Sequence, residues 1–315
     1  MADDRQRVES ALLEAVRTPD AYLTEIASHL INAGGKRLRP VLAVAAAQVG
    51  GANRVSDQVI QGGISCELVH LGSLYHDDVM DESSVRRGVE TVNAKWGNLQ
   101  AILAGDFLLA RASEIAASLG TEVAGLLART IGRLCEGQIE ELRHTYDVDR
   151  SVASYLVSID GKTASLFSTV ARIGGIVAGH DRGLIGALTS YGTSYGIVFQ
   201  IVDDLLDIIS TDEALGKPAG HDMEEGVYTL PVLLTMQAGG VVGKKLESIL
   251  GAPLTVDQRI ESLQLVRQGN GIAQAIEVAR EYVAMAEATC GLMPASSSTT
   301  ALRQAPAALL ATVTK

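Results

Sequence analysis

Two copies of one aspartate motif are the residues of this chain best suited to chemistry. Each copy follows the DDxxD pattern, with Asp77, Asp78 and Asp81 in the first and Asp203, Asp204 and Asp207 in the second. Both copies end mostly apolar stretches, Ile64–Tyr75 and Gly183–Val202, which we predict to be helices. Residues i and i+4 lie on one helix face, so the first and third carboxylates of each copy lie on the same side. Crowded carboxylates near a helix C-terminus repel each other and oppose the helix dipole, so a bound cation would stabilise them. Oxygen ligands favour hard cations such as Mg²⁺.

Basic residues beside glycines supply the opposite charge. Lys36 and Arg39 lie within Gly34–Pro40, and Arg86-Arg87 follow the first aspartates by a few residues. Two lysines adjoin glycines, Lys162 before Thr163 and Lys217 after the second aspartates. With the metal motifs, these residues predict a polyphosphate site in which Mg²⁺ bridges the anion and the basic side chains hold the rest. The GxxxxGK[ST] pattern of a P-loop is missing from the sequence.

The composition of the 315 residues narrows the class of protein. Hydrophobic residues make up 47% of the chain and aromatic residues only 4%, which favours close packing of helices over a sheet sandwich. A net charge of −11 argues against a nucleic-acid surface. Cys66, Cys135 and Cys290 have no metal-ligand spacing, and the chain starts without an apolar signal segment. We therefore expect a cytoplasmic protein with buried free thiols and no transmembrane segment.

Helical periodicity dominates the sequence, and we expect a single all-α domain over residues 1–315. The predicted helices are Val8–Val16, Ala21–Ala33, Pro40–Val49, Val59–Tyr75, Ala101–Leu119, Val123–His144, Val152–Val177, Gly183–Ile209, Thr229–Ala238, Val256–Gln268 and Gly271–Cys290, with a short helix at the end of the chain.

These motifs, in this order, resemble those of the all-trans isoprenyl (polyprenyl) diphosphate synthase family over about residues 20–290. The similar segments are Gly34–Pro40, His76–Gly88, Gly161–Thr163, Phe199–Asp207 and Gly216–Pro231, with Asn93, Trp96–Asn98 and Gly105-Asp106 in support. The resemblance implies an antiparallel helical bundle around a deep central cavity, most often dimeric. It also implies a prenyltransferase that joins an allylic diphosphate to isopentenyl diphosphate and releases pyrophosphate.

The resemblance also implies a role for each site residue. Asp77 and Asp81 would hold two Mg²⁺ and Asp203 a third, with Asp78, Asp204 and Asp207 in support. Arg86, Lys162 and Lys217 would bind the allylic diphosphate, and Thr163 and Gln200 would line the reacting centre. Isopentenyl diphosphate would contact Lys36, Arg39, His70 and Arg87. A second interpretation of His70, as a core histidine bonded locally, remains open. We expect His76 to point away from the metals and His221 and Asp222 to belong to a lid. The implied partners are the two diphosphates and a second copy of the chain, with peripheral membrane contact for product release.

Two positions before the first aspartates bear on product length. In short-chain members of the family, a bulky aromatic residue four or five positions before the motif closes the cavity. Gly72 and Ser73 stand there instead, so we expect a medium- or long-chain polyprenyl product. The alternative for Gly72 is that glycine only permits helix packing. The deeper limit of the cavity could involve Leu68, Val69 or Leu108.

The sequence leaves some alternative functions open. The alternatives are a geranylgeranyl or farnesyl diphosphate synthase and, with less support, a non-catalytic subunit of a heteromeric synthase. A terpene cyclase would carry an Asn-Ser/Thr-Glu motif in place of the second DDxxD. A Mg²⁺-binding protein without enzymatic activity would have no use for the basic residues. One departure from the family is Val227, where many members have a lysine, which puts the closure of that loop in doubt.

Overall fold

The computed structural model describes residues 2–211 and 218–314, with side chains from Asp4 onward. It confirms the all-α prediction. The first six helices are α1 (Ala2–Ala15), α2 (Ala21–Asn32), α3 (Leu38–Gln48), α4 (Asp57–Met80), α5 (Val92–Trp96) and α6 (Asn98–Ser118). The next four are α7 (Thr121–Arg143), α8 (Val152–Ile159), α9 (Ser165–Val177) and α10 (Arg182–Ile209). The remaining described helices are α11 (His221–Glu224), α12 (Leu230–Gln237), α13 (Gly240–Ile249), α14 (Val256–Gln268), α15 (Gly271–Cys290) and α16 (Ser297–Leu310).

Local signals explain where several helices begin. The Asp20 carboxylate accepts from the backbone N–H of Tyr22 and Leu23, which caps α2. Thr255 and Gln258 form a reciprocal capping box at the start of α14. These side chains satisfy amide groups that have no partner within the first helical turn.

Most predicted helices agree with the structure, although α1 begins at Ala2 and not at the predicted Val8, and one long segment differs more. The segment predicted as one helix, Val152–Val177, is interrupted by a π-helical turn at Asp160–Ala164. Helix α4 also runs past the predicted end at Tyr75 and includes Asp77 and Asp78. The prediction omitted α5, α11 and α13, which are short, and a hairpin of β1 (Val85–Arg86) and β2 (Val89–Glu90). The hairpin pairs Val85 with Glu90 and Arg86 with Val89 in antiparallel register.

The chain divides into two compact units. The first unit contains Met1–Ile131, Thr169–Thr189 and Met293–Thr299, and the second contains Gly132–Ser168, Ser190–Leu292 and Thr300–Lys315. The prediction of one polyprenyl synthetase domain over residues 1–315 stays a prediction.

Helix α4 is the centre of the first unit. It packs against α1, α3 and α6, and it is buried along most of its length. Leu68, Leu71 and Tyr75 on α4 and Leu108 on α6 have no exposed surface. Because α4 is covered on several sides, it has no solvent-exposed face that requires polar residues. This explains the nearly unbroken apolar run before the first aspartates.

The second unit has its own hydrophobic core around α10, α12 and α15. Ile201 and Leu205 of α10, Leu230 of α12, and Ala275 and Ala279 of α15 are fully buried in it. Alanines allow α15 to approach α12 closely, which fits a chain that has few aromatic residues.

Two other sequence predictions can be compared with the structure. Cys66 and Cys290 are buried as expected, but the prediction of burial is wrong for Cys135, which lies exposed on α7. The buried face of α7 does not include this position, and the spacing of the cysteines gave no information about it. Among the described residues, no helix is long and apolar enough to cross a membrane.

Candidate active site

The first aspartate motif closes the C-terminal end of α4. The backbone N–H of Asp81 donates to the carbonyl of Asp77 at 2.8 Å, so these residues are one helical turn apart. Asp77 is half-buried and Asp81 is exposed, whereas Asp78 has no exposed surface. The three carboxylates of the motif therefore have different environments.

Asp78 is bound to protein groups. The Nε of Arg86 donates to Asp78 Oδ1 at 2.5 Å, and the Asn93 amide donates to the Asp78 carbonyl at 3.0 Å. Burial raises the pKa of Asp78, while the charge of Arg86 opposes that shift. In this structure the Arg86 side chain thus joins the hairpin to the aspartate motif and leaves Asp77 and Asp81 as its more accessible carboxylates.

Three of the predicted isopentenyl diphosphate residues, Arg39, His70 and Arg87, lie close together in the first unit, and the fourth, Lys36, is exposed. Arg39 lies buried in the first turn of α3. Arg87 lies in the hairpin turn with a φ of 54°, and it donates to the carbonyls of Leu30 (3.0 Å) and Gly34. Burial lowers the pKa of both arginines, while the charge of Glu67 acts in the opposite direction. Glu67 is 2% exposed, and no sequence pattern had indicated a role for it.

His70 belongs to the same cluster. Burial and the charges of Arg39 and Arg87 lower its pKa well below the usual value for histidine. The imidazole is therefore neutral at physiological pH and can offer a phosphate oxygen an N–H without adding another positive charge. His76, further along α4, lies within 3.4 Å of Asp106 and 3.2 Å of the Ile102 carbonyl on α6, so it points away from the motif as expected.

Arg37 is a structural residue although it stands between Lys36 and Arg39. It is 2% exposed and adopts a φ of 50° at the start of α3. Its guanidinium donates to both oxygens of Glu9 (2.9 and 3.1 Å) and lies 3.4 Å from Glu67. Arg37 therefore joins α1 to α3 and α4.

Gly72 and Ser73, the two positions predicted to control product length, have different surroundings. A Cβ atom at Gly72 would lie 3.0 Å from the Gly105 carbonyl and 3.3 Å from Leu109, so glycine here permits α4 and α6 to approach. This contact supports the alternative interpretation of Gly72. Ser73 is half-buried, and its hydroxyl donates to the His70 carbonyl at 2.9 Å. The chain-length role of both residues stays a prediction.

The second aspartate motif lies near the end of α10. Asp203 is exposed, whereas Asp204 and Asp207 are 3% and 4% exposed. Both oxygens of Asp204 accept hydrogen bonds, from the Tyr155 hydroxyl at 2.5 Å and from the Gln200 amide at 2.8 Å. Burial raises the pKa of Asp204 well above its usual range, and the charge of Asp222 raises it further.

Asp207 binds the backbone of the segment that follows. Its carbonyl accepts from Gly220 N at 2.9 Å, and its side chain accepts from Asp222 N at 3.4 Å. The carbonyl of Asp222 accepts from Val227 N at 2.8 Å, so a backbone bond closes the turn where the family often has a lysine. His221 pairs with Glu225 at 3.1 Å. Lys217 lies outside the described residues, and the lid role of His221 and Asp222 stays a prediction.

Lys162 and Thr163 lie in the π-helical turn. A Cβ at Gly161 would meet the Gly137 Cα at 2.9 Å, so two glycines allow α7 to pack directly on this turn. Lys162 Nζ donates to Glu141 Oε1 at 2.6 Å, and Thr163 Oγ1 donates to Gln200 Oε1 at 2.7 Å. A single π-turn inside a helix commonly marks a functional site, because it changes the direction in which side chains project.

The donor atoms of the accessible aspartates suit a hard divalent cation. They are carboxylate oxygens, with no thiolate and no neutral imidazole among them. In the described part of the chain, no group of three or more His, Cys, Asp or Glu side chains could by itself hold a metal ion. Mg²⁺ is typically bound by one or two carboxylates together with water and substrate phosphates, so the arrangement fits a metal that binds with its substrate.

Comparisons with known proteins agree with this chemistry. The sequence profile of the polyprenyl synthetase family matches residues 20–265. The chain belongs to this family. It is 40% identical to a nonaprenyl diphosphate synthase of Mycobacterium tuberculosis over 91% of this chain and 86% of the relative. The structure of a heptaprenyl diphosphate synthase from Staphylococcus aureus superimposes with a TM-score of 0.93, at 31% identity and 98% coverage of both chains.

A third comparison concerns ligands. A geranylgeranyl pyrophosphate synthase from Corynebacterium glutamicum, complexed with calcium and isoprenyl diphosphate, has a TM-score of 0.86 and 37% identity, covering 99% of this chain and 96% of the other. A divalent cation therefore binds within this family. The prediction that the chain is a trans-polyprenyl diphosphate synthase, and hence a prenyltransferase, is confirmed.

Proposed function

We propose that this polyprenyl synthetase uses Mg²⁺, three ions per active site, held by Asp77, Asp81 and Asp203. The observation that carries the proposal is the difference in exposure within each motif. These three aspartates are the accessible ones, whereas Asp78, Asp204 and Asp207 are buried. Buried carboxylates that accept hydrogen bonds from the protein can orient the motif, and accessible ones can accept a metal together with a diphosphate.

Each diphosphate has its own set of residues in this proposal. Arg86, Lys162 and Lys217 bind the allylic diphosphate, whose carbon–oxygen bond ionises. Lys36, Arg39, His70 and Arg87 bind isopentenyl diphosphate. Arg39 and Arg87 are buried or partly buried, which strengthens their attraction for an incoming anion because water screens such charges less.

The reaction follows from these roles. Bound Mg²⁺ supplies positive charge that stabilises the departing pyrophosphate. Arg86 and Lys162 add fixed positive charge on the leaving oxygens, and the oxygen atoms of Thr163 and Gln200 stabilise the allylic cation. The double bond of isopentenyl diphosphate attacks C1 of that cation, a carbon–carbon bond forms, and the departing pyrophosphate accepts the proton that is then lost.

We propose a medium- or long-chain product. The names of the relatives, nonaprenyl and heptaprenyl diphosphate synthases, support this range. Ser73, one turn before Asp77, is small and half-buried, which leaves space where an aromatic residue would obstruct a growing chain. A geranylgeranyl product is the second candidate, because a geranylgeranyl pyrophosphate synthase is also structurally similar.

We further propose that the protein is a homodimer. On α6, Leu99 and Leu103 are 74% and 66% exposed and Ile102 is 41% exposed. Three large apolar side chains within two turns form a patch typical of protein interfaces. Peripheral membrane contact for product release and a cytoplasmic location stay predictions.

One assay tests the reaction, the metal and the product. The purified chain is incubated with farnesyl diphosphate and radiolabelled isopentenyl diphosphate, with Mg²⁺ or after chelation by EDTA, and products are separated by chain length. We expect elongation only when Mg²⁺ is present. We also expect the main products to be longer than geranylgeranyl diphosphate, which is the product of adding one isopentenyl unit to farnesyl diphosphate. No turnover by the chain alone would contradict the proposal and favour the non-catalytic subunit. A main product of geranylgeranyl diphosphate would refute the product length.

A further inference from the structure

Four side chains of the second unit form a continuous chain of hydrogen bonds. The Tyr155 hydroxyl donates to Asp204 Oδ2 at 2.5 Å, and the Gln200 Nε2 donates to Asp204 Oδ1 at 2.8 Å. Thr163 Oγ1 then donates to Gln200 Oε1 at 2.7 Å. We name these residues, Tyr155, Asp204, Gln200 and Thr163, the hydroxyl relay. Tyr155 is 2% exposed and Thr163 is 8% exposed, so solvent contributes little to either end.

Both oxygens of Asp204 accept hydrogen bonds, and these two contacts set the direction of the bonds in the relay. With its amide reversed, Gln200 would present its oxygen to a carboxylate oxygen, which is repulsive. The amide nitrogen therefore faces Asp204 and the amide oxygen faces Thr163. The Thr163 hydroxyl therefore donates its proton to Gln200 Oε1, and the lone pairs of Thr163 Oγ1 project away from that bond.

Arg150 lies beside the relay. It is 5% exposed, and its guanidinium carbon lies 5.8 Å from the centre of the Tyr155 ring. It donates to the Ser158 hydroxyl at 2.7 Å and to the Tyr228 carbonyl at 3.4 Å. Arg150 therefore joins α8, the helix that carries Tyr155, to the backbone of Tyr228.

We propose that Tyr155 is a positioning residue of the prenyltransferase reaction, and that it acts through Asp204 and Gln200 to set the orientation of the Thr163 hydroxyl. Its hydroxyl holds one oxygen of Asp204, and the other oxygen then orients the Gln200 amide. The negative ends of the Gln200 and Thr163 dipoles are thereby fixed before an allylic cation forms. The inference rests on the proposed place of Thr163 and Gln200 beside the reacting carbon atoms.

A double-mutant cycle tests the relay. Tyr155→Phe and Thr163→Val each remove one hydroxyl and preserve shape, and kcat and KM are measured for both single variants and for the double variant. We expect each single change to lower kcat by about 10- to 100-fold, since small displacements of positioned groups have effects of this size. KM for isopentenyl diphosphate should stay unchanged. The double variant should be no slower than the slower single variant, because both changes disable one relay.

Tyr191→Phe is the matched control. Tyr191 is a buried tyrosine of the same unit, and its hydroxyl donates to the Leu302 carbonyl at 2.8 Å, outside the relay. Tyr155→Phe and Tyr191→Phe should lower the melting temperature alike, but only Tyr155→Phe should lower kcat. Equal kcat values in Tyr155→Phe and Tyr191→Phe would overturn the proposal. It would also be overturned if the decrease in kcat of the double variant equalled the product of the decreases in Tyr155→Phe and Thr163→Val.

The cycle also separates the relay from the function on which it rests. If Thr163→Val and Gln200→Leu both kept the wild-type kcat, the proposed place of these residues at the reacting centre would be refuted, and with it the relay. If those two variants had a lower kcat while Tyr155→Phe kept the wild-type kcat, only the relay would be refuted.

Discussion

Residues of one type have different roles in this protein because their surroundings differ. Asp77 and Asp78 are neighbours in sequence, yet Asp78 is buried against Arg86 while Asp77 is accessible. The guanidinium of Arg37 is held by the carboxylates of Glu9 and Glu67, although Lys36 and Arg39, close to it in sequence, have the same charge and are predicted to bind substrate. A buried carboxylate bound to protein groups can orient its motif, whereas an accessible carboxylate can bind a metal.

The first prediction concerns the metal ligands. Asp77→Asn and Asp203→Asn keep the shape of the side chain and remove its charge, and each should lower kcat by about 100-fold or more, as expected for the loss of a group that stabilises transition-state charge. The concentration of Mg²⁺ at half-maximal activity should rise in both. Steady-state kinetics over a range of Mg²⁺ concentrations measure the two effects.

The matched control for these variants is Asp257→Asn, an exposed aspartate in the first turn of α14. It should retain wild-type kinetics. Near-wild-type turnover by Asp77→Asn or by Asp203→Asn would show that the motif in question binds no essential metal.

The second prediction concerns His70 and pH. Its pKa in the folded protein lies well below the usual value of about 6.5. Between those two pKa values the unfolded chain binds the proton and the folded chain does not, so the free energy of unfolding falls as pH decreases below about 6.5. His70→Gln should therefore lose less stability than the wild type between pH 7.5 and 5.5, by up to about 1.4 kcal/mol per pH unit for one proton.

Urea denaturation at the two pH values measures this difference. The arginines around His70 do not titrate in this range, so they do not contribute to it. An identical loss of stability in His70→Gln and in the wild type would show that the histidine is protonated as easily in the folded protein as in the unfolded chain.

At the scale of elements, interruptions of helices position the functional side chains. The π-turn between α8 and α9 carries Lys162 and Thr163, and glycines on the turn and on α7 allow the two to touch. The end of α4 places Asp77 and Asp81 one turn apart. Helix α4 also carries Gly72 and Ser73, which are adjacent in sequence but face different surroundings.

The third prediction separates these two neighbours. Ser73→Phe places a ring about 5.4 Å, one helical turn, before Asp77 and should shorten the main product to roughly fifteen to twenty carbons without preventing the first condensations. Gly72→Ala should leave product length unchanged, because the new methyl group would press on the Gly105 carbonyl rather than enter a cavity. Its effect should be a lower melting temperature, from overpacking of about 1–3 kcal/mol.

Chromatography of labelled products and thermal denaturation measure the two outcomes. An unchanged product in Ser73→Phe would show that the growing chain does not pass this face of α4. A shorter product in Gly72→Ala would assign the chain-length role to Gly72 after all.

At the scale of the whole molecule, low aromatic content and many small residues produce closely packed helices. The chain contains 32 glycines, and some of them allow helix contacts such as that of α4 with α6. Three large apolar side chains of α6, Leu99, Ile102 and Leu103, are nevertheless exposed in the single chain. A second copy of the chain would remove them from water.

The fourth prediction tests this surface. Leu103→Glu should convert a dimer to a monomer, or weaken it by about tenfold or more, because a charge in an apolar interface must be desolvated without a partner. Val241→Glu is the control, since Val241 on α13 is 86% exposed and lies outside the α6 patch. Light scattering after size-exclusion chromatography gives the mass of each variant, and a dimeric Leu103→Glu protein would place the interface elsewhere.

The helical class, most helix positions and the two aspartate motifs could be predicted from the amino-acid sequence. These features depend on local information: the 3.6-residue period of apolar positions, capping residues, and the spacing of charged groups along one helix face. The π-turn within Val152–Val177 was missed because its apolar period continues through it, and the bulge arises where Gly137 packs on Gly161.

The burial of individual charged residues, and the partner of each, became known only from the packing of the folded chain. Glu67 anchors an arginine cluster from a helix with a mostly apolar sequence, and Tyr155 meets Asp204 from a different helix. Gly72 lies against α6, an alternative that remained open from the sequence. Such contacts join residues far apart in the chain, and no period or local motif encodes them, because burial and long-range pairing depend on how all the helices pack together.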